Sequence, residues 1–120
     1  MISPESKAQY IQRVTNAKLD LNTTNLTTVY TAPSGDDFDY AIIESILVCD
    51  HDNQQTNVDF SITSGSSVFH LFKEFNINAH ATQELLTRDL VLKAGEILKA
   101  QANHSNLNIV VSLVEYAKGD

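Results

Sequence analysis

The sequence contains few of the residues that cross-link or bend a polypeptide chain. Its 120 residues include one cysteine, two prolines, four glycines and no tryptophan. A single cysteine excludes an intramolecular disulfide, and Cys49, at the end of an apolar run, is predicted to be a small buried hydrophobe. With 42% hydrophobic and 19% charged residues, the composition is typical of one globular domain and not of a disordered chain.

Basic residues are scarce as well. Eight lysines and arginines against fifteen carboxylates give a net charge of −7, and the basic residues are scattered along the chain. Nucleic-acid binding needs a concentrated basic face, so we expect no nucleic-acid partner. No segment approaches the roughly 18 consecutive apolar residues of a membrane helix. Residues 1–10 lack an apolar stretch after a basic start, so we expect neither a membrane partner nor a signal peptide.

Motifs for catalysis or metal binding are missing. Four histidines occur, at His51, His70, His80 and His104. They are far apart in sequence, and none forms the His-x-His pair of cupin-type metal sites. The acidic segments 36–39 and 50–53 do not match a calcium loop of EF-hand type. Because nucleophile-elbow, Walker and dinucleotide motifs are also missing, we predict no enzymatic activity, no cofactor and no metal.

The sequence does contain a series of short β-type segments. The central one is Tyr40–Cys49, the longest nearly unbroken apolar run. Both of its alternating sets of residues are mostly apolar, which predicts a central strand covered on both faces. Further strands are predicted at 26–31, 57–63, 68–73, 97–102 and 107–116. The region 85–92 is mixed, with a strand at about residues 90–92.

The segment Asn57–Thr63 has the cleanest alternation. Its apolar side chains are expected in the core: Val58, Phe60 and Ile62. Its polar side chains are expected to face solvent or a neighbouring subunit: Asn57, Asp59 and Ser61. This predicts a half-solvated antiparallel strand.

Turn residues separate these segments. Residues 64–67, Ser-Gly-Ser-Ser, predict a tight hairpin loop. Gly35 and Gly95 are predicted to occupy turn positions with positive φ. About seven or eight short strands without a helix of ordinary length predict an all-β fold, an antiparallel β-sandwich of jelly-roll type. We expect a single domain over residues 21–120, preceded by an extended N-terminal arm or first strand over residues 1–20.

Three segments, in this order, resemble a family of small virion structural proteins of tailed bacteriophages: Leu26–Gly35, Ile46–Asp50 and Leu90–Leu98. Members of that family tend to have Leu-Thr-x-x-Tyr-Thr-x-Pro-x-Gly, a strand ending in Val-Cys-Asn, and a Leu-x-Leu-x-x-Gly-Asp turn. This chain departs at Asp50, where Asn is usual, and at Glu96, where Asp is usual. The resemblance extends over about residues 26 to 116.

The resemblance implies a structural role in the virion, which assembles in the host cytoplasm. A capsid decoration (cement) protein is the first expectation, and a neck or tail component is the alternative. The implied partners are further copies of the chain, the major capsid protein or other virion proteins. The family implies no catalytic residues, and likeness of fold does not fix the position on the virion.

The N-terminal arm is too polar to form a core strand alone. We predict that it reaches onto a neighbouring subunit or the capsid lattice, with Tyr10, Ile11 and Val14 as contact residues. A carbohydrate-binding β-sandwich module is an alternative of another class. It would need a planar patch of exposed aromatic rings, and the chain has four tyrosines and no tryptophan for this purpose.

Overall fold

The computed structural model of the chain describes residues 12–35 and 37–117. Within them the secondary structure consists of nine strands. They are β1 (Gln12–Leu21), β2 (Thr27–Thr31), β3 (Tyr40–Asp50), β4 (Thr56–Ser64), β5 (Ser67–Ile77), β6 (Thr82–Glu84), β7 (Leu90–Leu92), β8 (Ile97–Ala102) and β9 (Leu107–Tyr116). In this part of the chain no helix is long and apolar enough to cross a membrane.

The strands form two antiparallel sheets. The first sheet has the order β1-β9-β3, and both β6 and β7 pair with the other edge of β3. The second sheet has the order β2-β8-β4-β5. The chain crosses from one sheet to the other after β1, β2, β3, β5, β7 and β8, which is the double Greek key of a jelly roll. The predicted all-β sandwich of jelly-roll type is therefore confirmed, although β6 was not predicted.

The core lies between the inner faces of the two sheets. From β9 of the first sheet it receives alternate side chains: Leu107, Ile109, Val111 and Leu113. From β4 and β8 of the second sheet it receives Val58, Phe60, Leu98 and Ala100. Since burial of such side chains contributes about 1.5–3 kcal/mol each for the larger ones, the apolar core explains how the fold forms without a disulfide.

Strand β3 lies inside the first sheet, as predicted, but its faces differ from the prediction. Its pairing with β9 shifts by one residue after Ile43. This bulge at Glu44 reverses the alternation, so that Ile43 and Ile46 both point into the core. The outer face is only partly covered, because Leu47 is 38% exposed and Cys49 is half-buried. Coverage on both faces and full burial of Cys49 were therefore wrong predictions.

Glu84 of β6 lies over this bulge. Its carboxylate accepts hydrogen bonds from the Ser45 hydroxyl and from the backbone N–H groups of Ile46, at 2.8 Å, and Leu86, at 3.1 Å. Burial acts to raise the pKa of Glu84, but the hydrogen bonds outweigh it and the pKa is lowered. The carboxylate therefore supplies acceptors for backbone donors around an irregular part of the strand.

Strand β4 follows the predicted alternation with one exception. Its apolar side chains are buried or partly buried, as predicted: Val58, Phe60 and Ile62. The exception is the burial of Ser61, which was expected to face solvent or a neighbouring subunit: it lies on the outer face but is only 5% exposed. It pairs with Lys99 on one side and His70 on the other, and a short side chain between two longer ones is covered by them.

Strand β5 is an irregular edge strand. Its pairing with β4 shifts by one residue on either side of Phe72, and Glu74 near the first shift has a φ of 54°. On a regular strand, side chains three residues apart face opposite sides. The extra residue of a bulge reverses the alternation once more, so that two side chains three residues apart across a bulge face the same side. Phe75, Phe72 and Phe69 therefore all lie on the inner side of the second sheet, opposite the three apolar residues of β4.

Two glycines occupy the left-handed region that favours glycine. Gly65, the first residue of the two-residue β4–β5 turn, has a φ of 61°, and Gly95 has a φ of 77°. The tight hairpin loop and the prediction for Gly95 are thus confirmed. The prediction for Gly35 is wrong, because its φ is not positive and a Cβ there would meet nothing within 4 Å. The turn at Gly35 needs no glycine.

Candidate interaction surfaces

A row of apolar side chains crosses the outer face of the first sheet. Val14 of β1 lies opposite Val114 of β9. Val114 lies in turn opposite Ile42 of β3, whose other cross-strand neighbour is Val91 of β7. Cross-strand partners share a face, so the four side chains form one continuous row. The two ends of the row are open to solvent: Val14 is 80% exposed and Val91 is 53% exposed.

Two tyrosines extend this row toward the start of β3. Tyr40 and Tyr116 are cross-strand partners on the same face, and their rings are stacked with centroids 5.1 Å apart. We call the combined surface the outer patch, which consists of Val14, Ile42, Val91, Val114, Tyr40 and Tyr116. The next row along the strands is polar, with Asn16, Ser112 and Ser45. Because the outer face of a sheet in water is ordinarily polar, this bounded apolar surface is a candidate contact site.

A polar bridge between the two sheets lies on the inner side of the same strands. Glu115 of β9 is 7% exposed. The hydroxyl of Tyr30, on β2 of the second sheet, donates a hydrogen bond to Oε2 of Glu115 at 2.6 Å. Arg13 of β1 donates from Nε to Oε1 of Glu115 at 2.9 Å, and its guanidinium lies 4.1 Å from the centroid of the Phe38 ring. The bridge fixes the start of β1 behind the outer patch.

The polar bridge shifts the pKa values of Tyr30 and Glu115 in opposite directions. Burial, reinforced by the hydrogen bond to Glu115, raises the pKa of Tyr30 well above its usual range. Burial also acts to raise the pKa of Glu115, but the hydrogen bonds from Tyr30 and Arg13 outweigh it and the pKa is lowered. Glu115 is therefore charged at neutral pH, and it holds the guanidinium of Arg13.

Of the three contact residues predicted from the sequence, the structure places one. Val14 lies at one end of the outer patch. Tyr10 and Ile11 lie outside the described residues. Val91 and Ile42 were missed, because an apolar residue on a strand reads as core until its cross-strand neighbours are known.

A second apolar surface lies at the end of the β4–β5 hairpin. We call it the hairpin end, which consists of Ile62 and Phe69, whereas the neighbouring Val68 pairs with Thr63 and lies on the opposite face of the sheet. Phe69 is 58% exposed and Val68 is 53% exposed. Phe69 lies opposite Ile62, so it is on the inner side of the second sheet, yet it is not covered by the first sheet. The inner apolar face thus continues beyond the core into solvent.

The opposite end of the sandwich contains a buried polar network. The amide nitrogen of Asn106 donates to Oδ1 of Asp50 at 3.1 Å, and the Thr56 hydroxyl donates to Oδ1 of Asn106 at 2.7 Å. Asp50 is fully buried, and its Oδ2 has no hydrogen-bond partner among the described residues. The network joins the ends of β3, β4 and β9. Nowhere in residues 12–35 and 37–117 do three or more His, Cys, Asp or Glu side chains come together to hold a metal ion.

A shallow groove of about 430 Å³ lies on the outer face of the second sheet. It is lined mainly by polar side chains: Thr24, Asn57, Asp59, Glu74, Gln101 and Asn103. A sugar-binding site ordinarily pairs such groups with an aromatic ring on which the sugar stacks. The lining of this groove contains no aromatic residue, so the groove does not favour the carbohydrate-binding alternative.

Comparison with known proteins yields likeness of structure only. No protein-family model matches the chain, and no curated protein sequence matches it. Two solved structures, both described as a pentameric capsid protein isolated from metagenomic phage sequences, are similar to it with a TM-score of 0.46 and 15% identity. The similarity covers 86% of this chain, and the chain spans 60% and 62% of the length of the two structures.

Proposed function

We propose that this protein is a structural component of the virion of a tailed bacteriophage, acting as a capsid decoration (cement) protein. The proposal extends the resemblance of the segments Leu26–Gly35, Ile46–Asp50 and Leu90–Leu98 to virion proteins. The observation that carries it is the outer patch, an apolar surface on a sheet face that would ordinarily be polar. The proposal does not depend on the similarity to the pentameric phage capsid proteins.

The outer patch has the properties of a contact surface. Its side chains lie on β-strands, and the bridge from Arg13 and Tyr30 to Glu115 fixes β1 and β9 behind it. Contact residues on such rigid elements lose little conformational entropy on binding. Removing one exposed valine side chain from water contributes about 1–2 kcal/mol. Several such contacts, repeated by every copy around a particle, give strong attachment from individually weak interactions.

The N-terminal segment is proposed to extend this surface. It leads into β1, whose ten residues pair with β9 without a register shift. The other edge of β1 pairs with no strand among the described residues, and a regular open edge is suited to strand addition. We propose that Tyr10 and Ile11 act together with Val14 against a neighbouring copy or the major capsid protein. The protein would then reside in the virion.

A neck or tail position would use the same surfaces, and the distribution of bound protein over the particle separates it from a capsid position. Virions that lack the protein would be mixed with purified protein and recovered by sedimentation. Wild-type protein should co-sediment and raise the temperature at which the particles release their DNA. Labelled protein distributed over the head supports decoration, whereas label confined to the neck or tail would replace that role by the alternative.

The variant Val14→Asp tests the outer patch. A carboxylate at this position must be desolvated when the contact forms. The affinity of the variant for particles should therefore fall at least about 10-fold. Asn16→Asp, on the polar row of the same strand, adds the same charge and is the matched control that should bind as the wild type does. Equal binding of wild type and Val14→Asp would contradict the proposal. Binding to a glycan array by the wild type would favour the carbohydrate-binding alternative.

A further inference from the structure

One edge of the first sheet is suited to pairing with a further strand. Strand β1 is ten residues long, pairs with β9 without a register shift, and meets no strand at its other edge among the described residues. We infer that β1 of one copy pairs antiparallel with β1 of a second copy about a two-fold axis at Leu19, which joins the two first sheets into one. The inference rests on the proposed function, in which this edge meets a neighbouring copy or the major capsid protein, and it assigns the edge to the neighbouring copy.

The other sheet edges of the described chain are protected against such pairing. Strands β6 and β7, along the far edge of β3, have three residues each. In the second sheet, the pairing of β2 with β8 and the pairing of β5 with β4 both contain register shifts. Short strands and bulges are devices by which natural proteins prevent edge-to-edge association. Strand β1 has neither device, and it contains no proline.

The polar side chains of β1 are complementary to themselves when two copies of the strand run antiparallel. Lys18 and Asp20 share the outer face of the sheet with Val14, because an even number of residues separates them on a regular strand. Both are exposed, and neither forms an ion pair with another residue in 12–35 and 37–117. A two-fold axis at Leu19 places Lys18 of each copy opposite Asp20 of the other copy. Opposite charges in this cross-strand position stabilise a strand pair.

The apolar side chains of β1 favour the same register. Ala17 and Leu19 pack against the core but are only partly buried, because the edge beyond β1 is open. In the proposed pair Leu19 lies opposite Leu19 of the second copy, and Ala17 lies opposite the second copy's Leu21. Apolar side chains therefore meet apolar side chains, and the pairing removes more of their surface from water.

Charge also disfavours the neighbouring registers. Moving the axis by one residue places Lys18 opposite Lys18 or Asp20 opposite Asp20, and like charges directly opposite each other destabilise a strand pair. Axes nearer the start of β1 set apolar side chains opposite charged ones, such as Val14 opposite Asp20 or Leu19 opposite Arg13. A lysine on an edge strand ordinarily discourages pairing. About Leu19, however, the same lysine meets a carboxylate and specifies the register.

The proposed contact forms a closed dimer. An isologous pair uses the β1 edge of both copies, so no third copy can add there. The chain leaves the first sheet after Leu21, so the paired segment is residues 17–21 of each copy. A contact of this size is weak in solution, and its repetition around a particle would strengthen attachment through multivalency.

Charge reversal tests the register. In Lys18→Glu both cross-strand charge pairs become acidic, and in Asp20→Lys both become basic. Each variant alone should lower the association constant of the dimer at least about 10-fold. An equimolar mixture of the two variants has opposite charges across the contact again, so it should form mixed dimers with the wild-type affinity, as should the double variant Lys18→Glu/Asp20→Lys with itself. The measurement is sedimentation equilibrium of the full-length chain at up to about 1 mM.

Matched controls and contrary outcomes are available. Lys93→Glu and Asp89→Lys make the same changes of net charge at exposed positions beyond the far edge of β3, and both should dimerise as the wild type does. Circular dichroism checks that each variant is folded. Monomeric wild-type protein, charge variants that dimerise as the wild type does, or a mixture without mixed dimers would overturn the inference. Loss of the dimer in Val91→Asp but not in the charge variants would place the contact on the outer patch instead.

Particle binding separates this inference from the proposed function. Val14 lies outside the paired segment, so Val14→Asp should dimerise as the wild type does. If Val14→Asp loses particle binding while the charge variants dimerise unchanged, the virion role stands and only the β1 contact fails. If mixed dimers form but wild-type protein does not bind particles, the β1 contact stands and the virion role fails.

Discussion

Phe60 and Phe69 are two residues of one type on the two strands of one hairpin, and both lie on the inner side of the second sheet. Phe60 is fully buried, whereas Phe69 is 58% exposed. The ring of Phe60 meets the ring of Phe72 edge to face at 6.5 Å, and Phe72 meets Phe75 in the same way at 5.7 Å. The difference between the two halves of the hairpin is therefore the cover supplied by the first sheet and not the chemistry of the strands.

This comparison separates two uses of apolar surface. In the half of the hairpin that the first sheet covers, where Phe60 lies, buried side chains hold the two sheets of each molecule together. In the half near the turn, where Phe69 lies, the same kind of side chain is exposed to solvent. A single strand pair thus stabilises the sandwich at one end and leaves an apolar side chain exposed at the other.

The largest difference is expected between Phe60→Ala and Phe69→Ala. Truncating the buried ring removes its packing and leaves a cavity, so Phe60→Ala should lower the free energy of unfolding by about 3–5 kcal/mol. Phe69→Ala should lower it by less than about 1 kcal/mol. Urea denaturation measures both. Comparable losses for the two variants would mean that the hairpin end is part of the core.

Glu115 links the two sheets through its hydrogen bond with Tyr30. Removing the charge of Glu115 should have the next largest effect. Glu115→Gln removes a charged acceptor from Tyr30 and Arg13, which should cost about 1.5–3 kcal/mol at pH 7. Because the pKa of Glu115 is lowered below its ordinary value of 4.5, this stabilisation is complete above pH 4.5 and is lost as the pH falls through the folded-state pKa.

Unfolding curves of wild type and Glu115→Gln between pH 7 and 3 measure this dependence. The difference in stability should shrink in acid. A difference that stays constant down to pH 3 would show that the charge on Glu115 contributes nothing to the bridge. Tyr30→Phe, which keeps the ring and removes only the hydroxyl, is the control for the donor side.

The turn of the hairpin provides a smaller effect. Gly65→Val places a β-branched residue in the left-handed region and should cost about 1–2 kcal/mol. Gly35→Val should cost less than about 0.5 kcal/mol, since φ at that position is not positive and the space around a Cβ is open. Thermal unfolding of both variants, with Gly95→Val as a second left-handed site, checks the assignment. Equal losses at Gly35 and Gly65 would contradict it.

The smallest effect is expected for Asp59, which lies on the outer face of the second sheet near the buried part of the hairpin. Oδ1 of Asp59 accepts a hydrogen bond from the N–H of Glu74 at 2.6 Å, and its Oδ2 lies 3.6 Å from Nζ of Lys73. Both interactions are near the surface, so Asp59→Ala should lower the free energy of unfolding by less than about 1 kcal/mol. A larger loss in urea denaturation would indicate that the β5 bulge depends on this carboxylate.

Alternation predicted the fold well wherever the strands are regular. β4 has no extra residue of its own, so Val58 and Phe60 were assigned to the correct face. In β3 and β5 the extra residues near Glu44, Leu71 and Glu74 change the phase of the alternation. A bulge depends on the partner strand as much as on its own residues, and one sequence does not identify it. The faces of β3 were consequently wrong.

The candidate contact site was even harder to predict from the sequence than the faces of the strands. Val14 was singled out because it belongs to a polar N-terminal stretch, where an apolar side chain stands out. Ile42 and Val114 lie in apolar strands, where nothing distinguishes an outward position from an inward one. The outer patch exists only through the register of β1, β9, β3 and β7, which pairs residues up to about a hundred positions apart in sequence.

The bulged edge of β5 makes this strand a poor template for amyloid-like growth at high protein concentration. A flat, apolar edge strand would template further strands and lead to fibrils. β5 contains three phenylalanines, yet the left-handed Glu74 and the extra residue at Leu71 interrupt the row of free backbone groups. Deleting Leu71 would remove one of the two bulges from this edge, and seeded thioflavin-T assays should then detect more fibrils than the wild-type chain forms. The same irregularity that keeps Phe69 on the inner face of the second sheet would thus also keep the chain from polymerising through its backbone.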